Sequence, residues 1–157
     1  MGDQNKSSPF TEPTATSPYG PPLIGALLRM PLEAVRQRML ERLHEHGFDD
    51  LAPAHLSVLQ YPGPDGMRPS DLAVQLGMSK QALNYLLGEL ERLGYLERRP
   101  DPDDLRSKRI ALTERGTAAI GVIREAVDEV ETIWAQQLGQ KRFGQLRSLL
   151  QELNQLA

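Results

Sequence analysis

Between Arg68 and Thr113 the chain reads as two short capped helices, a tight turn and a charged hairpin, and this stretch constrains the fold more than any other. Ser70 has the side chain of an N-cap, since its hydroxyl can accept from the free N–H groups of a first turn. Leu72, Ala73 and Leu76 give an apolar stripe, and Gly77 closes it as a left-handed C-cap. Ser79 caps again, Leu83, Leu86, Leu87, Leu90 and Leu93 recur at helical spacing, and Gly94 stops the second helix. Two capped helices joined by Gly77-Met78 have the form of a helix-turn-helix, whose second helix lies in the DNA major groove. Tyr95 to Arg99 and Lys108 to Leu112 then alternate like strands around a polar turn, which makes a β-hairpin. At this spacing the hairpin is a wing, and Met67-Arg68 is placed to add a brief strand against it.

The rest of the chain is helical. Pro21-Pro22 introduces an amphipathic helix running to Gly47, in which Pro31 predicts a kink or break near Met30. Pro53 suits the first position of a short helix ending near Tyr61, and Pro62 to Gly66 is a loop. Thr113 caps a long helix with Ile120, Ile123, Val127, Val130 and Trp134 spaced by three and four. Gly139 breaks it, and Phe143, Leu146, Leu149, Leu150, Leu153 and Leu156 form a last amphipathic helix. The fold class is therefore mostly α: a winged helix-turn-helix with long terminal helices and a two-stranded wing. Residues 1–20 read as a disordered tail, since they lack the apolar surface to offset ordering entropy. Residues 21–47 read as an N-terminal dimerisation helix, 48–113 as the winged unit and 114–157 as C-terminal dimerisation helices. Homodimerisation would cover terminal apolar faces that the monomer cannot.

Composition excludes several functions. The 157 residues contain no cysteine, so disulfides and thiol chemistry are ruled out. No run reaches the roughly 18 apolar residues of a membrane span, and no signal peptide opens the chain, so a cytoplasmic protein without membrane partners is expected. There is no glycine-rich phosphate loop and no nucleophile placed with a base, so no enzyme and no cofactor are expected. His44 and His46 lie two apart on a helix and do not face one another, so no metal site is expected from them. The net charge of −3 is unusual for a DNA binder, but its distribution is uneven. Residues 79–115 hold eight basic groups against seven acidic, and Arg98–Arg109 hold five basic groups against three aspartates. That bias permits phosphate contact without demanding it.

The order and motifs resemble the MarR-type family of winged helix regulators over residues 22–157. The resemblance is carried by Asp71-Leu72-Ala73 with Leu76-Gly77, by Leu90-Glu91 with Gly94 to Arg98, and by a wing signature. That signature is Asp104-Leu105-Arg106, followed at fixed spacing by Leu112-Thr113 and Gly116. It implies a homodimer joined through its first and last helices and bound to a palindrome in double-stranded DNA. It makes Arg106 the wing arginine at the DNA and Asp104 the carboxylate that orients it, the alternative being a turn salt bridge without a DNA role. Arg99 and Lys108 flank that tip as further basic contacts. On the recognition helix Lys80, Gln81, Asn84 and Tyr85 face away from the leucines; Gln and Asn suit adenine edges, and the Ser79 and Tyr85 hydroxyls suit phosphate. The family often has Thr-Arg where this chain has Asn84-Tyr85, which concerns base preference. A repressor released by a small-molecule effector is the implied mode, with Arg38, His55 and Tyr61 placed to line the ligand pocket. The competing reading is a winged helix used only for protein contact or dimerisation.

Overall fold

A computed structural model of the chain describes residues 20–63, 65–104 and 106–156. The expected tail, Gly20 apart, lies outside these residues. The elements are α1 (Ile24–Glu45), α2 (Pro53–Leu59), α3 (Pro69–Leu76), α4 (Lys80–Arg92), β1 (Leu96–Pro100), β2 (Lys108–Leu112), α5 (Glu114–Leu138) and α6 (Gln140–Leu156). The chain divides into two units, residues up to Glu33 and those from Ala34 onward. The described part of the first unit leaves Leu23, Ile24, Leu27, Leu28, Met30 and Leu32 exposed. No helix among the described residues is long and apolar enough to cross a membrane.

The second unit is built around the leucines of α4. Leu83, Leu87 and Leu90 are buried against Leu56, Val58 and Leu59 of α2 and Leu72 and Ala73 of α3, with Met39 and Leu43 of α1 in the same core. Their three- and four-residue spacing places one side of α4 inside and leaves the other to solvent. Ser79 caps α4 as expected, its hydroxyl accepting from the Ala82 amide at 3.2 Å. Gly77 ends α3 at φ 61°. Thr113 caps α5 by accepting from the Gly116 amide at 3.0 Å. The wing pairs Leu96 with Leu112 through Pro100 with Lys108, antiparallel, and where a brief strand was expected Met67 makes an isolated bridge to Ile110.

Three expectations are corrected. Ser70 does not cap α3: the helix starts two residues earlier than that cap implies, at Pro69, whose fixed φ and missing N–H suit a first position, and Arg68 is the cap residue, with no side-chain bond to the free amides of the first turn. The Ser70 hydroxyl instead donates to Asp71 at 3.2 Å. Of the kink or break expected near Met30, the break does not occur: α1 runs on through Pro31. The buried face of α5 runs through Ala119, Val122, Ile123, Ala126 and Val130, while Ile120, Val127 and Trp134 are only half-buried. Small alanines let the α5 backbone approach the core closely, so a stripe judged by large side chains alone is rotated away from the true face.

Tyr95 joins these pieces. It is fully buried, and its carbonyl accepts from the Thr113 amide at 3.0 Å and from its hydroxyl at 3.2 Å. A Cβ placed on Gly116 would stand 2.1 Å from that carbonyl oxygen. Gly116→Ala should therefore force strand and helix apart and destabilise the fold by about 1–3 kcal/mol. Denaturant unfolding measures this, and an unchanged midpoint would remove the close approach as a constraint.

Candidate nucleic-acid interface

The outer side of α4 presents Ser79, Lys80, Gln81, Asn84 and Tyr85, all exposed. Tyr85 is 66% exposed, so a large aromatic side chain stands out where the core gives it no partner. A cavity of about 190 Å³ between the first turns of α3 and α4 is lined by Pro69, Ser70, Lys80, Leu83 and Asn84. It brings the Ser70 hydroxyl beside the polar face of α4, a neighbour hidden by the capping role that the sequence assigned to it. Among the described residues, Lys80, Arg106 and Lys108 form no ion pair. Arg99, by contrast, is tied to its near neighbour Glu97 at 2.6 Å.

Side chains fix the wing at its root and towards its tip. At its root Arg98 of β1 donates through Nε to both oxygens of Glu91 on α4, at 2.9 and 3.1 Å. Towards its tip the fixed point is Asp101, which sequence reasoning did not single out. Its carboxylate is fully buried and accepts from Nε of Arg68 at 2.5 Å and from the Asp103 amide at 3.0 Å. Nε of Arg109 lies 3.1 Å from the same carboxylate without the alignment of a hydrogen bond, and its Nη2 reaches Asp103 at 2.9 Å. The Arg68 hydrogen bond, with help from the Asp103 amide and Arg109, holds the Asp101 carboxyl at about 2. Asp104 works differently from its expected role. It accepts from the backbone amide of Arg106 at 3.1 Å and from the Ser107 hydroxyl at 2.8 Å, so it shapes the turn and leaves the guanidinium free. These bonds, Ser107 first, draw its carboxyl below the ordinary range. A two-residue separation favours such an Asx-type turn over a side-chain ion pair.

The residues expected at a ligand pocket do not come together. Arg38 pairs with Glu129 of α5 at 2.5 Å. His55 is buried: its Nδ1 accepts from the Ala52 amide at 3.0 Å and caps α2, while Nε2 lies 3.2 Å from Glu89 of α4. The Ala52 bond requires an unprotonated Nδ1, so the proton sits on Nε2. Tyr61 is exposed. His44 pairs with Asp49 at 2.5 Å, and Nδ1 of His46 lies 2.8 Å from the Arg42 carbonyl. Two adjoining cavities of about 390 and 400 Å³ open instead beside α5, sharing Gln60, Ile120 and Arg124.

Residues 49–107 match the sequence profile of the MarR family. Over 84 residues the chain is 31% identical to the HTH-type transcriptional regulator YkoM of Bacillus subtilis (strain 168). That stretch is 54% of this chain and 53% of YkoM, so the match spans about half the length of that curated relative. Among solved structures the chain is similar to the transcriptional repressor CouR bound to a 23-mer DNA duplex, at 27% identity, 84% and 92% coverage of the two chains and a TM-score of 0.66. It is also similar to S. aureus MepR bound to ethidium bromide, at 26% identity, 86% and 97% coverage and a TM-score of 0.58.

The depressed Asp101 carboxyl has a definite sign in stability. Its ordinary value is 3.8 and its folded value about 2, so its contribution is complete above the first and lost as pH falls through the second. The stability gap between the wild type and Asp101→Asn should therefore stay open above about pH 4 and close towards about pH 2. Denaturant titrations across that range measure it, and a gap independent of pH would show that Asp101 is not the ionised partner.

Proposed function

We propose that the chain is a member of the MarR family, whose profile its residues 49–107 match, and that it is a transcription regulator binding double-stranded DNA, as its likeness in fold to the repressor CouR supports. It acts as a homodimer on a palindromic operator, in the manner of a repressor. The observation that carries this reading is the polar face of α4. Its leucines are spent on the core, while Lys80, Gln81, Asn84 and Tyr85 stand in solvent beside a wing whose Arg106 and Lys108 are unpaired among the described residues. Gln81 and Asn84 have the donor and acceptor pair that fits an adenine edge, and Lys80 suits guanine or phosphate. Arg106 and Lys108 suit phosphate or the minor groove, and Arg99, half-committed to Glu97, is a weaker contact. The duplex held by the related repressor CouR supports the same partner.

Dimerisation is supported by apolar surface left open. Leu146, Leu149, Leu153 and Leu156 of α6 are exposed, as are the apolar residues at the start of α1. The effector site is best placed at the twin cavities beside α5, where apolar Ile120 and Leu59 meet the polar ends of Gln60 and Arg124. Their volumes suit a small organic molecule, and the ethidium held by MepR is in keeping with such a ligand. A ligand there would favour one spacing of the two reading helices, and half-sites one turn apart need about 34–36 Å.

Selection of the purified protein against random duplexes, followed by sequencing, tests the reading. A palindrome with half-sites about one turn apart is the expected result. No enrichment at low salt would favour a winged helix used only for protein contact. On the selected duplex, Arg106→Ala should weaken binding to all sequences and lower the salt slope by about one. Asn84→Ala or Gln81→Ala should cost about 1–3 kcal/mol and relax preference at individual base pairs. Fluorescence anisotropy measures both, and retained preference in the two α4 variants would show that this face does not read bases.

A further inference from the structure

The wing tip that carries Arg106 is built on Asp101. The Asp101 amide donates to the Ser107 carbonyl at 3.0 Å, and its own carbonyl accepts from Asp104 at 3.3 Å. One oxygen of its carboxylate takes the Asp103 amide at 3.0 Å, and the other takes Nε of Arg68 at 2.5 Å. Arg68 belongs to neither strand of the hairpin. It precedes Pro69 at the start of α3, whose first turn shares a cavity with Lys80 and Asn84 of the reading helix. One side-chain bond thus joins the tip to the helix start that adjoins the reading face.

The other ties between wing and head lie lower. Arg98–Glu91 holds the root, and the Met67–Ile110 bridge holds the middle of the second strand. Neither reaches the 101–107 turn. A fully buried carboxylate costs desolvation energy that its partners must offset, and an acid beside DNA would by itself repel phosphate. Long-range attraction is therefore a poor reason for Asp101 at this place, whereas geometry is a good one. Contacts made by a preorganised surface lose less conformational freedom on binding.

We propose that Asp101 is a positioning residue for DNA binding: through Arg68 it fixes the wing tip, and with it Arg106, relative to the reading face of α4. This rests on the DNA-binding function proposed above. Arg106 makes the contact, and Asp101 acts only through where it puts Arg106. Arg68 contributes by the direction of its Nε–H, not by its charge alone.

The test is a double-mutant cycle on the duplex enriched by the selection, with the full chain and with folding checked by circular dichroism at the same temperature. Asp101→Asn should bind about tenfold more weakly with a salt slope lower by about one, as for a lost phosphate contact. Adding Arg106→Ala should then cost little more, because both changes remove one contact. A role in stability alone would leave the two effects additive. Arg68→Lys keeps the charge but loses the Nε geometry, and it should reproduce the same loss and the same coupling even if Asp101→Asn fails to fold. Additive losses, or binding by either folded variant as tight as the wild type, would overturn the proposal. If the wild type enriches no duplex, the DNA-binding function fails instead.

Discussion

The buried side chain of Tyr95 stands where the end of the reading helix, the start of the wing and the start of α5 converge. Its hydroxyl donates to Asp50 at 2.5 Å, and the Arg115 guanidinium lies over its ring at 4.4 Å while binding the same aspartate. Burial and then the Asp50 bond push the Tyr95 hydroxyl's pKa upward, so the residue stays a neutral donor. Burial opposes ionisation of Asp50, but Tyr95 and Arg115 outweigh it and hold that carboxyl below its ordinary value. One aspartate on the α1–α2 loop therefore fixes both an aromatic of the reading unit and a cation of the long helix. The start of α5 is thereby tied to the end of α4, since Arg115 also donates to the Leu93 carbonyl.

The wing follows a different logic. Its base is held by backbone pairing and by Arg98 on Glu91, and its tip by buried charge. The acidic residues there do not oppose a DNA partner as their number implies. Asp101 is buried and engaged by Arg68, and Asp103 is paired with Arg109, while Asp104 stays exposed and charged with its oxygens held by the turn. Lys80, Arg106 and Lys108 are left unpaired among the described residues. A chain of net charge −3 can thus present a locally basic surface, since it is the exposed and unpaired charge that a phosphate meets.

Most of the architecture was legible because its signals are local. Ser79 and Thr113 cap their helices through atoms three residues away, Gly77 and Gly139 take φ values that other residues avoid, and the leucines of α4 repeat at helical period. The errors share a cause. Ser70 was read by its side chain, although the neighbouring proline decided where α3 begins. The α5 face was read by its largest residues, although Ala119 and Ala126 are fully buried on it. His55, which sequence position offered to a ligand, is consumed by capping α2 and by Glu89, a partner distant in the chain.

The sequence by itself determined the order of helices, the turn between α3 and α4, the hairpin and the identity of the outward polar face. Each depends on backbone preference, capping or periodicity within a few residues. Only the tertiary structure decided which charges are neutralised and which are free. Arg68 and Asp101 are 33 residues apart, and Tyr95 and Asp50 are 45 apart. No local pattern marks such pairs, because what brings their atoms together is the packing of the helices between them.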